Sequence, residues 1–173
     1  MWEFTGKQRP KFALEPQEGQ ESVWDYPRPP ALISSDEQVE VALNGVTLAN
    51  SHRTLRVLET AHPPTYYIPE DDVNWTVLTA IAKNSYCEWK GTANYFSLLR
   101  HDELGAIAWQ YRNPVSSFAP LDGHVSFYPG LVDCKVDGEP VRPQPGIFYG
   151  GWITDRVVGP FKGEAGSGHW RSE

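Results

Sequence analysis

The stretch Val39-Glu40-Val41-Ala42-Leu43-Asn44-Gly45-Val46-Thr47-Leu48-Ala49 decides the fold. Val39, Val41 and Leu43 alternate with Glu40 and Ala42, and the alternation resumes at Val46 and Leu48. A period of two puts one set of side chains on one face of a strand. Asn-Gly between two such runs marks a tight hairpin, because both central residues of its turn need positive φ. Neighbouring segments continue in the same style. Residues 53–59 read as a third strand, broken at His62-Pro63-Pro64, and Thr65-Tyr66-Tyr67-Ile68 is a short β-favouring run. Further strands are predicted near 92–100, 105–111, 123–128 and 132–136, with Asp137-Gly138 turning the chain before 139–142. One segment reads as a helix. Pro69-Glu70-Asp71-Asp72 offers acids to the positive end of a helix dipole, and Val73, Val77, Leu78 and Ile81 recur at helical spacing. That spacing predicts two or three turns ending before Ser85. The expected fold class is mainly β: a small antiparallel, sandwich-like domain with one short helix.

The 173 residues fit one domain with decorated ends. Residues 1–30 hold Pro10, Pro16, Pro27, Pro29 and Pro30, which forbid a long helix. They also hold Trp2, Phe4, Phe12, Trp24 and Tyr26, too apolar for a free tail. From Pro143 the chain is again rich in Gly and Pro but keeps Phe148, Tyr149, Trp152, Phe161 and Trp170. The expected organisation is an extended arm at 1–30, a core domain at 31–142, and a second arm at 143–173 packed on the core or on a partner subunit. Two aromatic-rich arms around one β core suggest a shared surface and hence a homodimer. With 15 basic and 22 acidic residues the net charge is −7, without a basic run. Neither nucleic acid nor an anionic membrane is expected as a partner. No apolar stretch approaches the roughly 18 residues of a membrane span. The first residues lack a secretory pattern, and Cys87 and Cys134 are too few for a disulfide framework. Reduced thiols in a cytoplasmic protein are expected.

The sequence has no GxGxxG, no phosphate-binding GxxxxGK[ST], no GxSxG, no HExxH and no CxxC. Its histidines are scattered at 52, 62, 101, 124 and 169, so no metal and no cofactor is expected. Chemistry concentrates in three patches. In Ser85-Tyr86-Cys87-Glu88-Trp89-Lys90-Gly91 a thiol, a carboxylate and an ammonium fall within four positions. Fully extended, Cys87 and Trp89 would face one way and Glu88 and Lys90 the other. A turn, which Gly91 permits, would let Lys90 tune the thiol or bind an anion. Otherwise Cys87 and Trp89 are core residues and Glu88 and Lys90 are solvated. In Arg53-Thr54-Leu55-Arg56-Val57-Leu58-Glu59, the residues Arg53, Leu55, Val57 and Glu59 share a strand face. That arrangement suits a pocket rim or a buried ion pair. Glu59, His62, Tyr66 and Tyr67 would suffice for proton transfer around a cavity, and equally describe a polar strand end. In Trp109-Gln110-Tyr111-Arg112, the alternating rings are either a stacking wall or ordinary cover for a sheet face.

Taken together and in order, these patches resemble a known family. The resemblance runs through Ser51-x-Arg53-x-Leu55-x-Val57-Leu58-Glu59, His62-Pro63-Pro64-x-Tyr66-Tyr67-Ile68-Pro69-x-Asp71-Asp72-Val73 and Cys87-x-Trp89-Lys90-Gly91-x-Ala93-x-Tyr95. It continues through Ala108-Trp109-x-Tyr111-x-x-Pro114, Phe127-Tyr128 and Val136-Asp137-Gly138-Glu139, with Gly150-Gly151-Trp152-Ile153-Thr154 in the C-terminal arm. The family is the domain-of-unknown-function 427 family. The resemblance implies a β-tent type of fold and no established activity. A nucleotidyltransferase label attaches to the family, but the glycine-rich loop and paired metal-binding carboxylates of such an enzyme are not found here. The family usually has Pro after the Cys87 position and Ser or Thr after the Trp109 position, where this chain has Glu88 and Gln110. A motif of this kind holds more polar and reactive residues than a core requires. The resulting expectation is a pocket for an unidentified small molecule. Glu59, Cys87 and Lys90 are its candidate catalytic residues, and Arg53, His62, Tyr67, Trp89, Tyr95 and Trp109 its candidate ligand-binding residues. The alternatives are a non-catalytic binding or scaffold module and a homodimeric structural protein.

Overall fold

The computed structural model describes residues 3–146 and 149–167. Fifteen strands follow in chain order. They are β1 (Glu21–Ser22), β2 (Ala31–Ser35), β3 (Val39–Leu43), β4 (Val46–Ser51), β5 (Thr54–Leu58), β6 (Thr65–Pro69), β7 (Leu78–Cys87) and β8 (Gly91–Leu98). After these come β9 (Ala106–Tyr111), β10 (His124–Phe127), β11 (Asp133–Val136), β12 (Glu139–Pro140), β13 (Arg142–Pro143), β14 (Trp152–Ile153) and β15 (Val157–Val158). The large sheet has seven strands in the order β2-β5-β6-β10-β9-β8-β7, and the small sheet has four in the order β12-β11-β3-β4. Every pairing within these two sheets is antiparallel. The chain is mainly β, and neither sheet closes into a barrel.

The hairpin read from the sequence forms as expected. Asn44 and Gly45 have φ of 50° and 78°, the left-handed pair that its turn requires. Asp137 and Gly138, at 48° and 80°, make the same kind of turn between β11 and β12. The helix expected after Pro69 does not form. Glu70–Asp72 and Trp75–Val77 are single 3-10 turns, and Leu78–Cys87 is a strand. β7 pairs with β8 from Leu78↔Leu98 to Cys87↔Gly91, so sheet hydrogen bonding outweighed the weaker apolar spacing. Leu78 and Ile81, three apart, fall on opposite faces of that strand and join different clusters. Among the described residues the helical segments are all 3-10, the longest being Ser116–Leu121. No helix among them is long and apolar enough to cross a membrane.

One face of the large sheet is covered by the small one. Tyr66, Ile68, Ile107, Val125 and Phe127 meet Val39, Val41, Leu48, Cys134 and Val136 in a single buried cluster. Each such aliphatic or aromatic side chain contributes roughly 1.5–3 kcal/mol on burial. Because neighbours on a strand point to opposite faces, Tyr66 enters this core while Tyr67 belongs to a second cluster on the other face.

The two arms pack on the sheet edge near β5 and on each other. β1 pairs with β15, Leu14 N–H donates to the Gly159 carbonyl, and Trp24 Nε1–H donates to the Pro160 carbonyl. Phe4, Phe12 and Trp24 make edge-to-face contacts. Trp2, Phe148, Trp170 and His169 lie outside the described residues. The arms also deliver charge. Arg56, 4% exposed at its side chain, pairs with Glu21 of the N-terminal arm at 2.7 Å. Arg156 of the C-terminal arm reaches Glu37 at 2.5 Å, and Glu37 also accepts from the Tyr66 hydroxyl. Removing one partner from a sheltered pair leaves the other charge stranded. Glu21→Ala should therefore lower stability by about 2–4 kcal/mol in urea unfolding; an unchanged midpoint would contradict the role given to this pair.

Candidate functional site

The register of the large sheet lines up rings on the face that the small sheet leaves open. Leu55 pairs with Tyr67, Ser126 with Trp109, Trp109 with Tyr95, and Tyr95 with Ile81. Two residues along β9, Tyr111 pairs with Ala93. Tyr67, Tyr95, Trp109 and Tyr111 are buried together, with Tyr128 and Trp89 packed against them. Trp109 Nε1–H donates to the Tyr67 hydroxyl at 3.2 Å, and the Tyr95 hydroxyl and Ser85 Oγ share a hydrogen bond of 2.6 Å. Burial raises the pKa of Tyr67, Tyr111 and Tyr128, so all three phenols are neutral at physiological pH.

These rings wall a cavity of about 310 Å³. Of the nine residues singled out in the sequence, it gathers Glu59, His62, Tyr67, Cys87, Lys90, Tyr95 and Trp109. Arg53 and Trp89 are not among the lining residues. Arg53 is mostly exposed and held by Asp72 at 3.0 Å, beside a separate groove with His52. Arg56, three positions on, is the buried guanidinium of that strand. Trp89 packs behind the wall rather than in it. A further hollow of about 440 Å³ opens at the small sheet, lined by Glu40, Thr47, Asn50 and Lys135 among others, and brings together none of these groups.

Cys87 and Lys90 reach the cavity together because Glu88-Trp89-Lys90 is the turn of the β7–β8 hairpin. Gly91, at φ 101°, closes it, and Val115 N–H donates to the Lys90 carbonyl. The Lys90 ammonium lies 5.6 Å from the centre of the Tyr111 ring. Lys90 forms no ion pair among the described residues. Lys83, carried on the β7 bulge, sits in the same manner 4.5 Å over Tyr95. Cys87 is half-buried and free, as is the deeply buried Cys134.

Glu59 and His62 come from the loop between β5 and β6, and the arms hold that loop. Thr60 Oγ1–H donates to the Tyr26 carbonyl, Ala61 N–H to the Val23 carbonyl, and Lys162 N–H to the Ala61 carbonyl. Gln144 in the C-terminal arm then fixes the imidazole. Its Oε1 accepts from Gly151 N–H, so its Nε2 is the donor, to the Lys162 carbonyl at 2.8 Å and to His62 Nδ1 at 3.0 Å. His62 Nδ1 is thus an acceptor, and in the neutral ring the proton lies on Nε2, 3.8 Å from Glu59 Oε2. Tyr149 stacks edgewise on His62 at 5.4 Å. Gly150 and Gly151 complete the wall by close approach. A Cβ on Gly150 would fall 2.4 Å from the Trp109 ring, and one on Gly151 2.3 Å from Gln144 Oε1.

Gln144, Tyr128, Ser85 and Tyr149 were not named as site residues from sequence, although Tyr128 stands in the family motif and Ser85 opens the Cys87 patch. Tyr111 alternates with Trp109, and Gly150-Gly151 stands in the motif, so those three carried a signal. Gln144 carried none, because its role depends on an arm folding back across 82 positions to His62.

Among the described residues no cluster of His, Cys, Asp and Glu could hold a metal ion. The model of a domain of unknown function, DUF427, matches residues 31–138. The chain belongs to the DUF427 family. No curated protein matches it. The DUF427 match includes every strand from β2 to β11 but stops before Gln144, Tyr149 and Gly150-Gly151. In this DUF427 protein the site is therefore completed by residues beyond the family segment.

Burial pushes the His62 pKa down to about 4; Glu59 opposes the shift, and Lys162 and Arg28 add to it. Unfolded, the same imidazole titrates near 6.5. Between those values the unfolded chain binds more protons than the folded one. The fold thus loses stability as pH falls from about 6.5 to about 4, by up to about 3 kcal/mol, and is unaffected by this group above that window. His62→Gln should flatten this decline in urea midpoints measured across the window; parallel curves for both proteins would contradict it.

Proposed function

We propose that this protein binds a small, planar molecule carrying an anionic group, in the cavity on the open face of the large sheet. The observation that carries the reading is the Lys90 ammonium, which lies over the Tyr111 ring in a ring-walled hollow and forms no ion pair among the described residues. A partly sheltered ammonium with no ion-pair partner is placed to take an anionic group from a ligand. Trp109, Tyr67 and Tyr95 offer flat apolar contact to the body of such a ligand. The volume, about 310 Å³, suits a compact molecule.

The same walls support proton transfer. In our reading Glu59 is the acid/base group. His62, kept neutral with its proton on Nε2, donates a hydrogen bond to the ligand. Cys87 gives a thiol contact near Lys90. Binding comes first in this reading, and chemistry at Glu59 depends on it.

The test uses 4-methylbenzoate as a plain planar carboxylate and follows the protein's tryptophan fluorescence. Wild-type protein should show saturable quenching, and Lys90→Met should weaken binding about tenfold, the effect of losing one charge-assisted contact. Equal affinity in both proteins, or no saturable signal in either, would refute the reading.

A further inference from the structure

The cavity holds a second sheltered charge without a partner. Glu59, 20% exposed at its side chain, makes no hydrogen bond to any donor among the described residues. No Lys or Arg of the described residues forms an ion pair with it; His62 Nε2, 3.8 Å away, belongs to a ring that burial keeps neutral and on which Lys162 and Arg28 also act. The carboxylate is thus in the same condition as the Lys90 ammonium, with opposite sign.

The topology sets the two charges apart. Glu59 and His62 precede the start of β6, and Cys87 and Lys90 precede the start of β8. From β6 to β8 the sheet runs through β10 and β9, each step antiparallel. Three reversals make β6 and β8 run in opposite directions, so their starts lie at opposite ends of the sheet. The strand spacing of about 4.8 Å adds a lateral separation of roughly 14 Å between β6 and β8. The side chains of Glu59 and Lys90 close part of that gap as both turn into the one cavity. Between them lie Tyr67, Trp109 and Tyr111. Such a site is amphoteric, with a hydrogen-bond acceptor at one end, a cation at the other and rings along the middle.

We infer that the ligand is a zwitterion with separated charges: a flat, ring-containing body bearing a cationic nitrogen for Glu59 at one end and a carboxylate or similar anion for Lys90 at the other. This rests on the reading of Lys90 given above and extends it to the opposite end of the cavity. An α-amino acid, with both charges on one carbon, fits the arrangement poorly. An aromatic ω-amino acid fits it well. His62 Nε2–H, beside Glu59, adds a donor at the cationic end, so a nitrogen flanked by an acceptor oxygen suits that end too.

The test compares 4-(aminomethyl)benzoate and its homologues longer by one and two methylenes with 4-methylbenzoate, which keeps ring and carboxylate and lacks the amine. By calorimetry or tryptophan fluorescence, at least one of the amines should bind wild-type protein about tenfold more tightly than 4-methylbenzoate, the effect of adding one charge-assisted contact. Glu59→Gln should bring that ratio close to one. Comparable affinity for 4-methylbenzoate and every amine in the wild type would overturn this inference while leaving the Lys90 reading intact, and needs no variant to fold. A ratio that survives Glu59→Gln would also overturn it. Binding of none of these compounds would overturn both the inference and the reading it rests on.

Discussion

A broad antiparallel sheet has two faces, and the small sheet here covers only one. That single constraint organises the rest of the molecule. On the covered side, β3, β4 and β11 bury aliphatic residues against Ile68, Ile107, Val125 and Phe127. The two further sheets among the described residues, β1-β15 and β13-β14, have only two strands each. On the other side the chain uses bulk instead: Tyr67, Tyr95, Trp109 and Tyr111 shelter one another, and the arms fold over the end near β5. Rings held on a pleated surface do not close into a flat layer. The gap they leave is the cavity, and the polar groups of two loops project into it from different ends.

The arms are part of the site's mechanics. The loop that carries Glu59 and His62 is tied by backbone and side-chain hydrogen bonds to Val23, Tyr26 and Lys162. Gln144 sets the tautomer of His62, and the glycine pair at 150–151 presses on Trp109 and Gln144. The sheltered Arg56–Glu21 pair fastens the first arm to the same edge. Stability and site geometry are therefore coupled, and a change that loosens an arm also loosens the imidazole.

Much of this was legible in the residues. Asn44-Gly45 fixed a hairpin because few sequences meet its demand for two positive φ angles. Most strand positions followed from period-two alternation and punctuating turns. The cavity wall was legible in part, since Tyr67, Cys87, Lys90, Tyr95 and Trp109 stand in dense, chemically mixed patches. The failures have physical causes. Val73, Val77, Leu78 and Ile81 have helical spacing, yet pairing with β8 decides the conformation of β7, and no local pattern reports a partner strand. Alternation puts Arg53 and Arg56 on opposite faces of a strand but does not say which of the two is sheltered. Only the arrival of Glu21 from the N-terminal arm makes Arg56 the sheltered one. Gln144 is invisible for the same reason, because its role depends on His62, 82 positions away.

The central proposal is that a small molecule fills the ring-walled hollow in the cell. Native mass spectrometry of protein released gently from its own cells addresses this directly. The expected result is a stoichiometric small organic mass on the wild-type chain that is lost when Lys90 is replaced by Met. The bare chain mass in both proteins, under conditions that preserve weak complexes, would contradict it.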